Sequence, residues 1–503
     1  MESWSAGSFL ISAAPGAGKT RPALEFARRE LQRRAAEGVV IACPTAPLTR
    51  QWARAAHELG LELLPDADSP RPPRGFHGVV VTYARIANSP RRWAGGTRER
   101  TLVIADEAHH LGEELAWGES FAAAFTQASR WLLLSGTPFR SDAAPIPGVQ
   151  YDANGLAEPD ISYTYADAVR DGVCRPVAFV TYDGTLSWRS GDDVIEASFE
   201  AILSSREAGR RYRTAISTEL PDGLPRILGE AHARLQALRS GSHPDAGGLV
   251  IAADSEHAGR VAAQLRAVAG RAPVVVLHQD PKAAQKLAAF THSGDPWIVA
   301  VNMVSEGVDI PRLRVGVYAT AAKTALIFRQ IVGRFVRTIG GRPPEPSWLY
   351  VPADTILREH ATNVESELRY LARQGSEQHQ VELEEVERTK SEKGEVLDFE
   401  PLSADMAPQM SLFGPSPPAA RHPVPVSSEM RADVELPAFE RRAKLRAKRH
   451  RLVSDLARDL RSSHREVNAQ VNRSLGIASV GGATIEQLER SIDWLDKRLY
   501  GSR

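Results

Sequence analysis

Cysteine is nearly absent from this chain. Two occur in 503 residues, Cys43 and Cys174, far apart in sequence. They can form neither a zinc site nor a disulfide framework, which excludes a small cross-linked secreted scaffold. No stretch approaches the roughly 18 consecutive apolar residues of a membrane-spanning helix. The start, MESWSAGSFLIS, lacks the charged-then-apolar order of a signal peptide, and a cytoplasmic protein is expected. Net charge of either sign is also lacking, because 62 basic residues balance 62 acidic ones. Lysine is scarce: nine stand against 53 arginines, and Lys19 is the only one before Lys282. Where such a chain keeps a lysine, the compact ammonium itself is needed.

What is present is an ordinary globular composition, 43% hydrophobic and 25% charged, long enough for roughly three domains. Eleven short β-branched or apolar runs punctuate residues 9–353. The first five are FLISAAP (9–15), VVIACPT (39–45), GVVVTY (78–83), TLVIADEA (101–108) and WLLLSGT (131–137). The other six are VAFVTY (177–182), GLVIAAD (248–254), PVVVLH (273–278), WIVAVNM (297–303), VGVYAT (315–320) and WLYVPA (348–353). Helical stretches separate them. Continuous apolar strands alternating with helices predict parallel sheets covered on both faces. Eleven strands exceed one compact sheet, so two α/β domains are expected, 1–150 and 160–355, with a turn-rich joint near 141–160. Residues 185–246 read as a mostly helical insertion.

The pattern changes after residue 355. Residues 356–400 read as helical and acidic, with nine acids against three bases in 376–400. Residues 401–428 hold seven prolines and read as a disordered linker. Residues 438–503 return to helix, with ten Lys/Arg against three acids in 440–465. That basic run reads equally as a phosphate-backbone contact or as a solvated face. The final helix is expected to start at a capping box, Thr484 with Gln487, and to bury Ile485, Leu488, Ile492, Leu495 and Leu499.

Two segments carry chemistry. The run FLISAAP leads through Ala13-x-x-Gly16-x-Gly18-Lys19-Thr20 into a helix. Successive backbone N–H groups and a helix N-terminus suit a polyphosphate, and Gly16 and Gly18 permit positive φ. Lys19 then reaches the β- and γ-phosphates, and the Thr20 hydroxyl ligates Mg²⁺. In TLVIADEAHH, Asp106 and Glu107 stand at the carboxyl end of a buried strand, where open α/β sheets bind ligands. Two adjacent carboxylates suit two jobs, Asp106 for Mg²⁺ and Glu107 for the attacking water. His109 and His110 are adjacent with no third ligand apparent, which argues against a metal pair.

Taken together, these segments resemble motifs I, II and III of the superfamily 2 helicases, the third being Ser135-Gly-Thr137. PTAPLTRQW (44–52) and VTYARI (81–86) resemble motifs Ia and Ib, on the nucleic-acid face in that family. GLVIAADSEHA is similar to motif IV, VSEGVDIP (304–311) to motif V, and Gln330-Ile-Val-Gly-Arg334-Phe-Val-Arg337 to motif VI. The chain is thus identified with the bacterial DEAD/DEAH-box helicases. The resemblance implies two RecA-like parallel-sheet domains in tandem, ATP and Mg²⁺ as cofactors, and movement on nucleic acid. It assigns Ala13, Gly16, Gly18, Lys19 and Thr20 to the nucleotide, Thr20 and Asp106 to Mg²⁺, and Glu107 to hydrolysis. His109, Ser135 and Thr137 would couple nucleotide state to movement, and Gln330, with His109, would count among the catalytic residues. Gly307 and Asp309 would approach the nucleotide from the second domain, which would also supply Arg334 and Arg337 as arginine fingers. The family often reads adenine with an upstream Gln, and the resemblance assigns no such residue here.

Within the proline-rich stretch, Gln409-Met410-Ser411-Leu412-Phe413 resembles the pentapeptide by which bacterial replication and repair proteins bind the β sliding clamp. Gln409, Leu412 and Phe413 would be the clamp contacts, which favours DNA over RNA; the alternative is a patch that docks on the protein's own motor. An RNA helicase and a translocating motor subunit of a restriction or phage-defence complex are the alternatives.

Overall fold

The computed structural model describes residues 4–113, 115–136, 145–152, 157–277, 280–301, 310–339, 345–373, 399–410 and 436–500. The chain forms two compact units. The first is Met1–Ser12, Lys19–Ser162 and Ser427–Arg503; the second is Ala13–Gly18 and Tyr163–Val426.

Seven strands make the first sheet: β1 (Gly7–Ala13), β2 (Gly38–Cys43), β3 (Leu63–Pro65), β4 (Gly78–Thr82), β5 (Thr101–Asp106), β6 (Arg130–Ser135) and β7 (Ile161–Tyr163), in the order β3-β4-β2-β5-β6-β1-β7. The pairs from β3 through to β1 are parallel. Val39 to Cys43 and Leu102 to Asp106 are buried throughout, as strands covered on both faces must be. Parallel pairing brings the carboxyl ends of β1, β2, β4, β5 and β6 to one edge, and that edge carries the candidate site.

The second sheet comprises β8 (Val177–Ser190), β9 (Asp193–Ala197), β10 (Gly247–Ala252), β11 (Val274–Val276), β12 (Trp297–Val301), β13 (Leu313–Ala319), β14 (Ser347–Pro352) and β15 (Phe399–Met410). Its order is β11-β12-β10-β13-β14-β8-β15, parallel as far as β8, with β15 and β9 antiparallel to β8. All eleven apolar runs form strands. The strands that were not foreseen are β3, β7, β9 and β15.

Two expectations need correcting. Residues 185–197 are not helical: β8 runs on to Ser190 and turns into β9, and helices occupy only Ser205–Ala215 and Leu224–Ser240 within the supposed insertion. Within β8, Asp183 Oδ1 accepts the Gly184 N–H at 2.8 Å. Gly184 is there because a Cβ would lie 1.7 Å from the Asp405 carbonyl oxygen of β15. The second correction concerns the linker, which begins as a strand. Residues 401–410 lie in β15, with Gln409 opposite Thr181 and Met410 opposite Val180. Ala404 and Met406 point inward and Ser403, Asp405 and Ala407 outward, a period of two hidden by Pro401 and Pro408. An edge strand accepts such prolines. Leu412 and Phe413 lie outside the described residues, as do 374–398, most of the acidic stretch.

Three C-terminal helices, Ala438–Asp459, His464–Leu475 and Ile485–Tyr500, pack around Leu452, Val453, Leu456, Val467, Val471, Ile492 and Leu495. The capping box is present: Thr484 N–H donates to Gln487 Oε1 at 2.9 Å, and Gln487 N–H to Thr484 Oγ1 at 3.2 Å. Leu488, Ile492 and Leu495 are buried, while Ile485 and Leu499 are half-buried. The bundle joins the first sheet's unit through Arg54–Glu440 at 2.8 Å and through Ala438 N–H, which donates to Glu62 Oε2 at 3.0 Å.

The basic run is neither wholly a phosphate contact nor wholly a solvated face. Arg442 and Arg449 are buried, 3% exposed each. Arg442 donates to the carbonyls of Ala483 and Gly481. Arg449 donates to Ser491 Oγ (3.0 Å), Asn468 Oδ1 (2.5 Å) and Asn472 Oδ1 (2.8 Å), tying all three helices together. Arg449→Leu should therefore strand these acceptors and destabilise the bundle by about 3 kcal/mol. Urea unfolding followed by proteolysis of the C-terminal segment measures this; an unchanged midpoint would show that the arginine contributes only packing.

Candidate functional site

The loop after β1 is shaped by glycine. Gly16 (φ +86°) and Gly18 (φ +80°) adopt left-handed conformations that L side chains rarely take. The helix Thr20–Gln32 follows, with no acid in its first turn, so the positive end of its dipole is uncompensated there. Lys19 is the residue before this helix.

Across the same sheet edge, β5 ends at Asp106, which is 4% exposed. Its carboxylate is held on both oxygens. The Trp52 indole N–H donates to Oδ2 at 2.8 Å, and the Glu107 N–H to Oδ1 at 3.1 Å. The Tyr83 hydroxyl donates to the Asp106 carbonyl at 2.7 Å, fixing the backbone. Glu107 has φ +51°, an uncommon conformation for a residue with a side chain and one that concentrates at functional sites. The Lys19 ammonium pairs with Glu107 Oε1 and lies 3.8 Å from Asp106 Oδ1. His109 Nδ1 stands 3.1 Å from Ser135 Oγ and 3.6 Å from Glu107 Oε2.

The electrostatics differ between the two acids. Burial pushes the Asp106 carboxyl up, against the pull of Lys19. For Glu107 burial acts the same way, but the Lys19 ammonium and neighbouring His109 outweigh it and hold the group ionised. An anionic phosphate arriving at the loop would compete with Glu107 for Lys19. The arrangement can therefore exchange one ion pair for another, leaving Glu107 available to a water molecule. Among the described residues no three or more His, Cys, Asp or Glu side chains gather into a metal site. A single carboxylate, with Thr20 opening the helix after Lys19, fits Mg²⁺ carried by a phosphate ligand, because that ion keeps waters and seldom has an all-protein cage.

Lys19, Asp106, Glu107, His109 and Ser135 thus come together at one edge, with Ala13 at the end of β1 and Thr20 opening the next helix. On the second unit, Gln330 and Arg334 lie on the helix Ala325–Phe335, and Arg337 forms a backbone bridge with Cys174. Thr137, Gly307 and Asp309 lie outside the described residues. Sequence reasoning placed Trp52 and Tyr83 only within the segments similar to motifs Ia and Ib and assigned neither a contact with Asp106. A signal existed for Trp52: in the helix Ala46–Glu58, the buried positions Leu48, Thr49, Trp52, Ala53 and Ala56 form one face, and a buried indole N–H needs an acceptor.

Residues 5–140 match a family described as the Type III restriction enzyme, res subunit. The Mycobacterium tuberculosis protein Rv2917, named as uncharacterized, is 39% identical over 456 residues, spanning 88% of this chain and 75% of its own. The Mycobacterium leprae protein ML1624 is 42% identical over 373 residues, 72% of this chain and 62% of its own. A fragment described as an HsdR subunit of a type I restriction enzyme, from Vibrio vulnificus, superposes with a TM-score of 0.50 at 15% identity, over 72% of this chain and 62% of that one. At that identity the likeness speaks for the fold alone. No helix among the described residues is long and apolar enough to cross a membrane. The two parallel sheets, the ordered motifs and the matched residues agree, and the chain belongs to the superfamily 2 helicases, in one family with mycobacterial Rv2917.

Proposed function

We propose that this chain is an ATP-dependent motor that moves on or remodels DNA. The observation that carries the reading is Lys19 poised on the Asp106–Glu107 pair at the sheet edge, beside a glycine-shaped loop and a helix N-terminus. On this reading the loop, with Lys19, holds the β- and γ-phosphates. Thr20 and Asp106 would hold Mg²⁺, which when bound neutralises charge on the phosphate oxygens. Glu107 orients and deprotonates the attacking water, and His109 links it to Ser135. Gln330, Arg334, Arg337, Gly307 and Asp309 are the second unit's contribution, assigned by motif.

The match to a restriction-enzyme subunit family supports DNA as the track and favours a second reading, a translocating subunit of a restriction or phage-defence complex. Segment 409–413 would favour DNA only as a sliding-clamp peptide. Docking on a sliding clamp would require Gln409 to leave its pairing with Thr181. The test compares stimulation of ATP hydrolysis by single-stranded DNA, duplex DNA and RNA, with strand displacement measured in parallel. DNA stimulation with displacement supports a helicase, and DNA stimulation without it supports the translocating subunit. Stimulation by RNA alone would overturn the DNA reading.

Arg337→Ala, and to a lesser degree Arg334→Ala, should lose turnover while retaining nucleotide binding, because a finger's charge counts most as the transition state forms. The expected loss is about 10³-fold or more in kcat. A variant with weakened nucleotide affinity and a normal kcat at saturation would contradict the finger role.

A further inference from the structure

The helix Ala46–Glu58 faces two ways. Outward it presents Arg50 and Arg54, 61% and 60% exposed. Inward it presents Trp52, 1% exposed, whose N–H donates to Asp106 Oδ2 at 2.8 Å. A buried indole needs only some acceptor, and a backbone carbonyl would serve. Here the acceptor is the carboxylate that stands in the candidate nucleotide site, 54 residues away.

The start of this helix borders a basic surface. Arg50 lies 3.4 Å from Asp66 Oδ2, and Arg85 donates to the Asp66 carbonyl at 3.0 Å and also pairs with Asp68. Beside them opens a cavity of about 420 Å³ lined by Asp68, Thr82, Arg85, Asn88, Ser89 and Arg92. Arg50 and Arg85 thus meet on one short acidic loop. Both are exposed, and both can exchange their aspartate partners for phosphate oxygens, for which a guanidinium is well shaped. Such an exchange at Arg50 would pull on the N-terminal half of the Trp52 helix.

We propose that Trp52 is the positioning residue through which phosphate-backbone contact at the start of its helix reaches the Asp106 carboxylate. This rests on the motor reading above. A packed helix shifts as a rigid element, by about 1–2 Å in known switches, and the indole must follow it. The hydrogen bond to Oδ2 sets the rotation of the carboxylate, and with it the direction of Oδ1, now 3.8 Å from the Lys19 ammonium. A tug on the helix therefore changes how Asp106 presents itself to a nucleotide, and nucleotide binding must pull back equally, since coupling is reciprocal.

The test measures that coupling in the full chain, with a fluorescent non-hydrolysable ATP analogue and Mg²⁺. Its affinity is determined without and with saturating single-stranded DNA. The wild-type chain should bind the analogue on the order of tenfold more tightly with DNA. In Trp52→Phe, which keeps a ring and loses the N–H, that factor should collapse to about one to two, with DNA affinity close to wild type. Because a buried tryptophan is costly to shrink, benzothienylalanine at position 52 serves as the second variant. It preserves the bicyclic shape and lacks the donor, and the same collapse is expected. An undiminished coupling factor in the benzothienylalanine protein overturns the assignment of Trp52 and leaves the motor reading standing. A wild-type chain that binds neither the analogue nor DNA removes the motor reading, and this inference with it.

Discussion

Replacing Lys19 with alanine should reduce ATP hydrolysis to background, a loss of about 10³-fold or more in kcat. This ammonium is engaged with Glu107 and lies 3.8 Å from Asp106 Oδ1. Bound nucleotide would draw it to the phosphates, where its charge counts most as the γ-phosphoryl group transfers. A charge-assisted contact is worth about 1.5–3 kcal/mol in the ground state. Affinity should therefore fall by roughly 10- to 100-fold, less than turnover falls. No other lysine precedes Lys282, so no neighbouring ammonium is available to take over within the first 281 positions. Lys19→Arg should not rescue, because the planar guanidinium is too large for a site built around a point charge. The check is steady-state hydrolysis by purified Lys19→Ala protein whose circular dichroism matches wild type. Near-wild-type turnover would falsify the phosphate-loop assignment.

Glu107→Gln should leave nucleotide bound and stop its hydrolysis. The substitution keeps size and hydrogen-bonding shape and removes the charge, and with it the ability to accept a proton from water. Losing a general base costs about 10²- to 10⁴-fold in kcat. A second consequence distinguishes this variant from Lys19→Ala. Glu107 pairs with Lys19, so removing its charge weakens the group that competes with phosphate for Lys19. Binding of Mg²⁺-ATP should be as tight as in wild type or tighter. Single-turnover hydrolysis and equilibrium binding of a fluorescent nucleotide separate the two effects. Retained turnover would assign the water to another residue, and lost affinity would make the Lys19–Glu107 pair a support for the loop.

Much of this was legible in local patterns. Runs such as VVIAC and TLVIAD are strands because β-branched and apolar side chains have nowhere to go but a sheet buried on both faces. The same pattern put Asp106 and Glu107 at a strand's carboxyl end, and the two glycines before Lys19 announced the loop. Thr484 with Gln487 forms the expected box because capping is a contact over three residues. What was missed depends on residues far apart in the chain. Trp52 meets Asp106 from 54 residues away, and no spacing rule links position 52 to position 106. The need for Gly184 comes from β15, which arrives more than two hundred residues later and takes the room a side chain would fill. β15 itself carried a clear alternation beneath two prolines. The basic run concealed inward arginines because Arg442 and Arg449 satisfy their donors on backbone carbonyls and on amide and hydroxyl oxygens of later helices. Net charge could not distinguish them from their solvated neighbours.

The most direct measurement is phosphate release by the full chain in Mg²⁺-ATP, without nucleic acid and then with single-stranded or duplex DNA. A motor of this family should hydrolyse ATP slowly alone and on the order of tenfold faster with DNA, with both rates absent in Lys19→Ala. Hydrolysis that never rises above buffer, or that rises equally in wild type and Lys19→Ala, would contradict the account.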